Sequence, residues 1–473
     1  MQYHSRLLLP LIVSNLLPEL LPLALAQVPL REKIGQMVMV TVTGDSVEKS
    51  SPSMDTLKSD LAEGFVGGLV MYVWSGNLKS PQQIAHLTSE IQKLTRVPLL
   101  LAIDQEGGQV ARLGSSNGFA ATPSAYSMGT LVNLESNTRS VAATMAGWFA
   151  QTGLNMNLAP VVDVNVNPSS PAIGALERSF SANPDTVALH AGWFVEEFRN
   201  RRIVTTLKHF PGHGSATTDS HLGLTDVTAT WSVMELEPYS TLLGAHAVDA
   251  VMTAHIFNAA LDSTYPATLS YATVTGLLRN QLGYGGVVVS DAMSMKAIST
   301  TFGGDQAIEL AVLAGVDILL YTRNLDSTGE STARHIVELI ERRVQEGGIS
   351  EARIDESYGR IIALKQKYLT GVSPPVAATL PQEMLLANYP NPFNSSTRIR
   401  LSLPQPAAVD LTIYDILGRV VTTLAHGYLS AGPHEFSWSA PAASGTYFCR
   451  LEAVGMAESH RTQMRVAKLV VVK

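Results

Sequence analysis

IVTTLKHFPGHGSATTDSH, residues 203–221, joins an apolar, β-branched run to a loop crowded with titratable groups. Ile203 to Leu207 has the composition of a buried strand. Lys208 to His221 then places one Lys, three His and one Asp in fourteen residues, broken by Pro211-Gly212 and Gly214. Loops of this kind, mounted on the ends of rigid strands, are where chemistry concentrates. Two other segments share the layout. Ile103-Asp104-Gln105-Glu106-Gly107-Gly108 follows the run Pro98–Ala102, and Ser290-Asp291-Ala292-Met293 follows Val287–Val289.

Outward from that stretch the same alternation recurs. Short apolar runs at Met37–Thr43, Val66–Val73, Pro98–Asp104, Met156–Val162, Val204–His209, Ala250–His255, Val287–Asp291 and Asp317–Tyr321 predict eight strands. Segments with helical apolar spacing lie between them, among them Pro81–Leu94, Thr186–Phe198, Ser270–Gln281 and Gln306–Ala314. Strands that are apolar throughout and separated by helices are parallel and covered on both faces. Eight such units predict an α/β fold, a closed (β/α)8 TIM-type barrel over residues 27–370. An open doubly wound sheet is the alternative, weakened because Gly67-Gly68 opens no phosphate-binding loop. A barrel gathers the C-terminal ends of its strands at one mouth. The polar residues sit at those ends: Asp104, Glu106, Asp163, Lys208 to His221, His255 and Asp291.

The chain has 473 residues, 15% of them charged, and a formal net charge of −7. No basic cluster stands out, so nothing points to nucleic acid as a partner. Residues 1–26 predict a signal peptide: a short polar start with His4 and Arg6, a leucine-rich run from Leu7 to Leu25, and Ala24-Leu25-Ala26 before Gln27. No later stretch is apolar for long enough to span a bilayer, so no integral membrane segment is expected after cleavage. The single cysteine, Cys449, is expected to be a small core residue in a strand.

Beyond Lys367 the character changes. Residues 371–386, with Pro374-Pro375 and Pro381, predict a linker. Residues 387–473 hold short alternating runs at Arg398–Leu403, Val409–Tyr414, Val420–Leu424, His434–Trp438, Thr446–Glu452 and Met464–Val472. These predict a small all-β, immunoglobulin-like sandwich of six or seven strands.

The three polar loops suggest acid–base chemistry on a polar small molecule. Asp291, at the end of a buried strand with Met293 and Met295 nearby, fits a nucleophile; the competing reading is a cap for the following helix. Asp219, two residues before His221, can accept its N–H and raise its basicity; a solvated loop His is the alternative. His209 and His213 have the i, i+4 spacing of a helical metal site, but Pro211-Gly212 breaks that helix, so no metal and no cofactor are expected. Lys208 and His209 are expected to donate hydrogen bonds to a neutral ligand, with Arg112 and Arg178 as further donors or as surface ion pairs.

These residues resemble glycoside hydrolase family 3, in its β-N-acetylglucosaminidase branch. The carriers are EKIGQM at 32–37, IDQEGGQVARL at 103–113, NMNLAPVVDVNVNP at 155–168, ERSF at 177–180, KHFPGHGSATTDSH at 208–221, VMTAHI at 251–256, VVVSDAMSMKAI at 287–298 and AGVDILL at 314–320. The resemblance implies a retaining hydrolase of terminal β-linked N-acetylglucosamine. Asp291 would be the nucleophile and His221, paired with Asp219, the acid/base. Asp104, Arg112, Arg178, Lys208 and His209 would bind the sugar. Gln109 and Ala216 depart from residues common in the family, Arg and Thr. β-Glucosidase or phosphorylase activity on the same scaffold, or an inactive sugar-binding protein, are the other readings. YPNPFNSSTRIRLSL at 389–403, TIYDILGRVVTTL at 412–424 and SGTYFCRL at 444–451 are similar to a type IX secretion sorting domain. That similarity implies secretion machinery as a partner of residues 387–473 and passage through the periplasm to the bacterial surface or medium. A carbohydrate-binding module using Trp438 or Tyr447 is the alternative.

Overall fold

The computed structural model describes residues 28–130, 134–220, 223–369, 384–404, 407–429, 432–439, 444–455 and 462–472. The predicted signal peptide, most of the predicted linker and His221 lie outside the described residues. The chain divides into two compact units, Val28–Pro374 and Pro375–Lys473.

The first unit holds eight parallel strands in one sheet: β1 (Val38–Val40), β2 (Gly68–Val70), β3 (Leu100–Ile103), β4 (Met156–Asn157), β5 (Val204–Phe210), β6 (Ala250–Thr253), β7 (Val287–Val289) and β8 (Leu319–Leu320). Their order is β7-β6-β5-β4-β3-β2-β1-β8. Register pairs such as Met39↔Gly68, Ala102↔Met156 and Val287↔Ala250 run around the sheet. β8 pairs with β1 through Val38↔Leu319. Between β7 and β8 the ladder thins to one bridge, Val289↔Ile318, and there the hydroxyl of Ser290 accepts the Leu320 amide at 3.0 Å. The sheet is thus a nearly closed barrel. All eight predicted runs carry a strand, but seven of the eight strands stop one to five residues before the predicted run does. Closing a tilted barrel pairs only the middle of each strand, and the C-terminal ends turn into loops.

The helices around the barrel start where the sequence punctuates them. Ser51-Pro52, Ser80-Pro81 and Asn183-Pro184 each place a capping side chain before a proline in the first turn. Each cap oxygen accepts an amide otherwise left unpaired, a contribution of about 1 kcal/mol. On the helix Pro184–Arg199, Val187, Ala191, Phe194 and Phe198 form a buried stripe. Phe194 and Phe198 stack at 4.8 Å. Burying such a ring contributes about 2–3 kcal/mol.

The second unit is an antiparallel sandwich. One sheet pairs β9 (Leu385–Tyr389), β10 (Ser396–Leu403) and β13 (Gly432–Ser439) in the order β9-β10-β13. The other orders β12 (Val420–Leu429), β11 (Ala407–Asp415), β14 (Gly445–Gly455) and β15 (Thr462–Val471) as β12-β11-β14-β15. β9 corrects the predicted boundary, since it begins inside the stretch assigned to the linker. Its apolar residues Leu385 and Tyr389 are exposed while Leu386 packs against the core, so its inward face was too short to detect. Trp438 is buried against Phe393 and Tyr447 in the core of the sandwich. Cys449 is fully buried, and burial pushes its thiol up to about 12.

Candidate active site

Six of the predicted site residues, Asp104, Arg112, Arg178, Lys208, His209 and Asp291, line one cavity of about 540 Å³ at the C-terminal ends of the strands. β3 delivers Asp104, β5 delivers Lys208 and His209, and the turn after β7 delivers Asp291. The floor is a buried ion network. Lys208 Nζ donates to Asp104 Oδ1 at 2.8 Å and to Glu106 Oε1 at 2.6 Å. Arg178 grips Glu106 with two hydrogen bonds of 2.8 Å and donates a third to the Ala172 carbonyl. Arg112 reaches Asp104 Oδ2 at 3.2 Å and lies over the Tyr72 ring, 5.5 Å from its centroid.

Burial alone would raise the Asp104 and Glu106 carboxyls. The cations outweigh it, holding Asp104 below its ordinary range and Glu106 at about 2. Burial would likewise lower Lys208, but Asp104 and Glu106 hold its ammonium above the ordinary value. The network is therefore charged at neutral pH, with donors and acceptors fixed before any ligand arrives.

His209 is set by Asp163, which accepts from His209 Nδ1 at 2.7 Å and from the His213 amide at 2.8 Å. Arg178 Nη2 stands 3.3 Å from His209 Nε2. A guanidinium can only donate, so the ring carries its proton on Nδ1 and Nε2 is the acceptor. His209 was expected to donate to a ligand; its Nδ1–H is instead given to Asp163 and its Nε2 accepts from Arg178. His213 turns its Nε2 toward Ser220 Oγ at 3.1 Å, and burial lowers it to about 4. The two rings serve different partners, as the broken helix predicts. Among the described residues, no group of three or more His, Cys, Asp or Glu is arranged to hold a metal.

Asp291 shares the cavity with Met252, Met295, Ser294 and Thr322. Its Oδ1 accepts the Ala292 amide at 2.7 Å. His255, fixed through Nδ1 by Thr268 Oγ1 at 2.8 Å, places Nε2 3.0 Å from the Ala292 carbonyl. The backbone after Asp291 is thereby held from β6. The loop after β5 is packed hard at its start: a Cβ on Gly214 would fall 1.7 Å from the Val164 carbonyl. Gly212, at φ 121°, faces Glu235. Glu235 Oε2 accepts the Gly214 amide at 2.9 Å. Farther along, Thr217 and Thr218 are exposed and Asp219 is half-buried, away from the cavity lining. His221, the partner predicted for Asp219, lies outside the described residues.

Sequence reasoning left Glu106, Asp163, Glu235, Tyr72 and Trp74 out of the site. Glu106 and Asp163 were visible as polar strand ends. The others carried no signal: the partner of Glu235 is 21 residues distant, and Tyr72 and Trp74 read as the end of an apolar run.

The glycosyl hydrolase family 3 N-terminal domain matches residues 29–364. The chain belongs to glycosyl hydrolase family 3. A beta-hexosaminidase A of Pseudoalteromonas piscicida is 33% identical over 377 residues, 72% of this chain and 62% of that protein. Beta-hexosaminidase LpqI of Mycobacterium tuberculosis is 34% identical over 57% of this chain and 68% of its own length. Among solved structures, a family 3 β-N-acetylglucosaminidase from Paenibacillus superposes with a TM-score of 0.66 at 36% identity, covering 72% of this chain and 63% of that one. A β-N-acetylhexosaminidase from Beutenbergia cavernae gives 0.63 at 28% identity, covering 72% and 99%. The chain thus spans somewhat under two thirds of the first of these relatives. Within family 3 the match ends with the barrel; residues 390–455 match a FlgD Ig-like domain instead.

Proposed function

We propose that this family 3 protein is an exo-acting β-N-acetylglucosaminidase that retains anomeric configuration. The observation that carries the reading is the meeting, in one cavity, of a strand-end carboxylate with a prearranged set of charged and hydrogen-bonding groups: Asp291 with Asp104, Lys208, Arg178 and His209. The similarity to proteins named beta-hexosaminidase supports the choice of sugar. In this mechanism the Asp291 carboxylate attacks the anomeric carbon of the terminal residue. The bond to the leaving oxygen breaks as His221 delivers its proton, and a glycosyl–Asp291 ester remains. His221, its imidazolium steadied by Asp219, then takes a proton from water, and the resulting hydroxide displaces Asp291. Lys208 and the arginines bind hydroxyls, Asp104 accepts from them, and His209, held between Asp163 and Arg178, fixes the arginine beside the sugar.

The test is p-nitrophenol release from the β-N-acetylglucosaminide and the β-glucoside by wild type and Asp291→Ala. Turnover of the first alone, lost by at least ~10³-fold in the variant, supports both the substrate and the nucleophile. Preference for the glucoside, or an active variant, overturns the corresponding half. With phosphate present, release of a sugar 1-phosphate would convert the hydrolase to a phosphorylase. We further propose that residues 1–26 direct export and that 387–473 serve as a type IX sorting domain, supported by the Ig-like sandwich and its FlgD-like match. Deleting 380–473 should leave the enzyme in the periplasm. Export that persists while polysaccharide binding is lost would instead make this unit a carbohydrate-binding module.

A further inference from the structure

The cavity is polar at its floor and aromatic at its rim. Trp74 lines the same cavity as Asp291 yet is 61% exposed. A large apolar ring in water costs solvation energy, and here the fold holds it there. Its indole stacks on Tyr72 at 5.2 Å with the planes 18° apart. Tyr72 in turn lies beneath Arg112, which binds Asp104. The short turn carrying Trp74 is pinned on every side. Asn77 Oδ1 accepts the Tyr72 amide at 3.1 Å, and Asn77 Nδ2 donates to the Val42 carbonyl at 2.8 Å. Ser75 Oγ donates to the Tyr72 carbonyl at 2.8 Å, and the Ser75 carbonyl accepts the Gly44 amide at 2.9 Å. An exposed aromatic face on an immobile support binds with little further loss of conformational freedom.

The chemistry that fits such a face is a pyranose. A β-linked aminosugar with equatorial substituents presents C–H bonds on both faces, and these meet the negative face of an indole. Lys208 and His209 are deep and nearly inaccessible, so the polar floor takes the terminal sugar. The rim is left to whatever that sugar is attached to.

We propose that Trp74 is the platform of a leaving-group subsite that stacks a second pyranose ring, so that the substrates are oligosaccharides rather than glycosides of small alcohols. This rests on the hydrolase reading above. The experiment compares kcat/KM for N,N′-diacetylchitobiose and for methyl β-N-acetylglucosaminide in wild type, Trp74→Ala and Trp74→Phe. The chitobiose-to-methyl ratio should fall about tenfold in Trp74→Ala and largely recover in Trp74→Phe. A fall of less than about threefold, or equal losses on both substrates, overturns the platform. If the wild type cleaves neither substrate, the hydrolase reading fails by itself. Tryptophan emission titrated with chitobiose then decides: a change lost in Trp74→Ala keeps the platform, and no change in the wild type overturns it.

Discussion

Glu235 makes a quantitative demand on pH. Its side chain is fully buried beneath the loop that follows β5. Burial pushes its carboxyl up from 4.5 to about 7; the nearby Asp163 charge adds to the rise, and donors from Ser215 and Gly214 oppose it. Below pH 4.5 the group is protonated in both folded and unfolded chains. Between 4.5 and about 7 the unfolded chain loses the proton and the folded chain keeps it, so stability falls as pH rises. A rise from 4.5 to about 7, at about 1.4 kcal/mol per pH unit, amounts to about 3 kcal/mol. Glu235→Gln has no proton to lose and escapes this decline. Relative to wild type, the variant should therefore gain about 3 kcal/mol between pH 4 and pH 8. Urea unfolding of the full chain at both pH values, followed by the emission of its five tryptophans, four of them in the barrel unit, gives the two differences. Curves for wild type and variant that move in parallel with pH would refute a buried, protonated Glu235.

Three further outcomes are expected. Glu106→Ala leaves Arg178 and Lys208 buried without their shared carboxylate; the urea midpoint should drop by the equivalent of about 3–5 kcal/mol, and kcat/KM should drop with it. Gly214→Ala forces a Cβ into the Val164 carbonyl, so the loop must shift; turnover should fall at least ~10-fold while far-UV ellipticity keeps its shape. His255→Phe removes the contact to the Ala292 carbonyl; a fall of about tenfold in kcat with KM little changed would mark His255 as positioning Asp291, whereas a purely structural role would show as a lowered melting temperature with unaltered kcat in the folded fraction.

The eight barrel strands were legible because each lies in a short run rich in apolar and β-branched residues, the signature of a strand buried on both faces. The site was legible to the extent that its groups sit at strand ends. Asp104, Lys208, His209 and Asp291 could be placed around one mouth without knowing a single distance. Glu106 and Asp163 stood in the same segments, but their work is tertiary. Glu106 joins an arginine 72 positions later, and Asp163 orients a histidine 46 positions later. No local pattern encodes such pairings. Trp74 was invisible for a different reason: it follows an apolar run directly, and only its exposure in three dimensions separates it from core. β9 was missed because it carries Leu385 and Tyr389 outward and turns a single leucine, Leu386, to the core.

The hydroxyl of Ser290 takes the place of a backbone carbonyl at the β7–β8 seam. A carbonyl is held by its own chain, whereas a hydroxyl turns about one bond. Opening this seam costs a turn of that hydroxyl and the few backbone bonds beside it, the Ser290 amide to the Ile318 carbonyl at 2.8 Å and the Ile318 amide to the Val288 carbonyl at 3.0 Å, a shorter ladder than its neighbours carry. The next residue is Asp291. On a slow heating ramp the enzyme is expected to fall silent some degrees before its helices melt, and an activity trace laid over far-UV ellipticity would show the gap between the two.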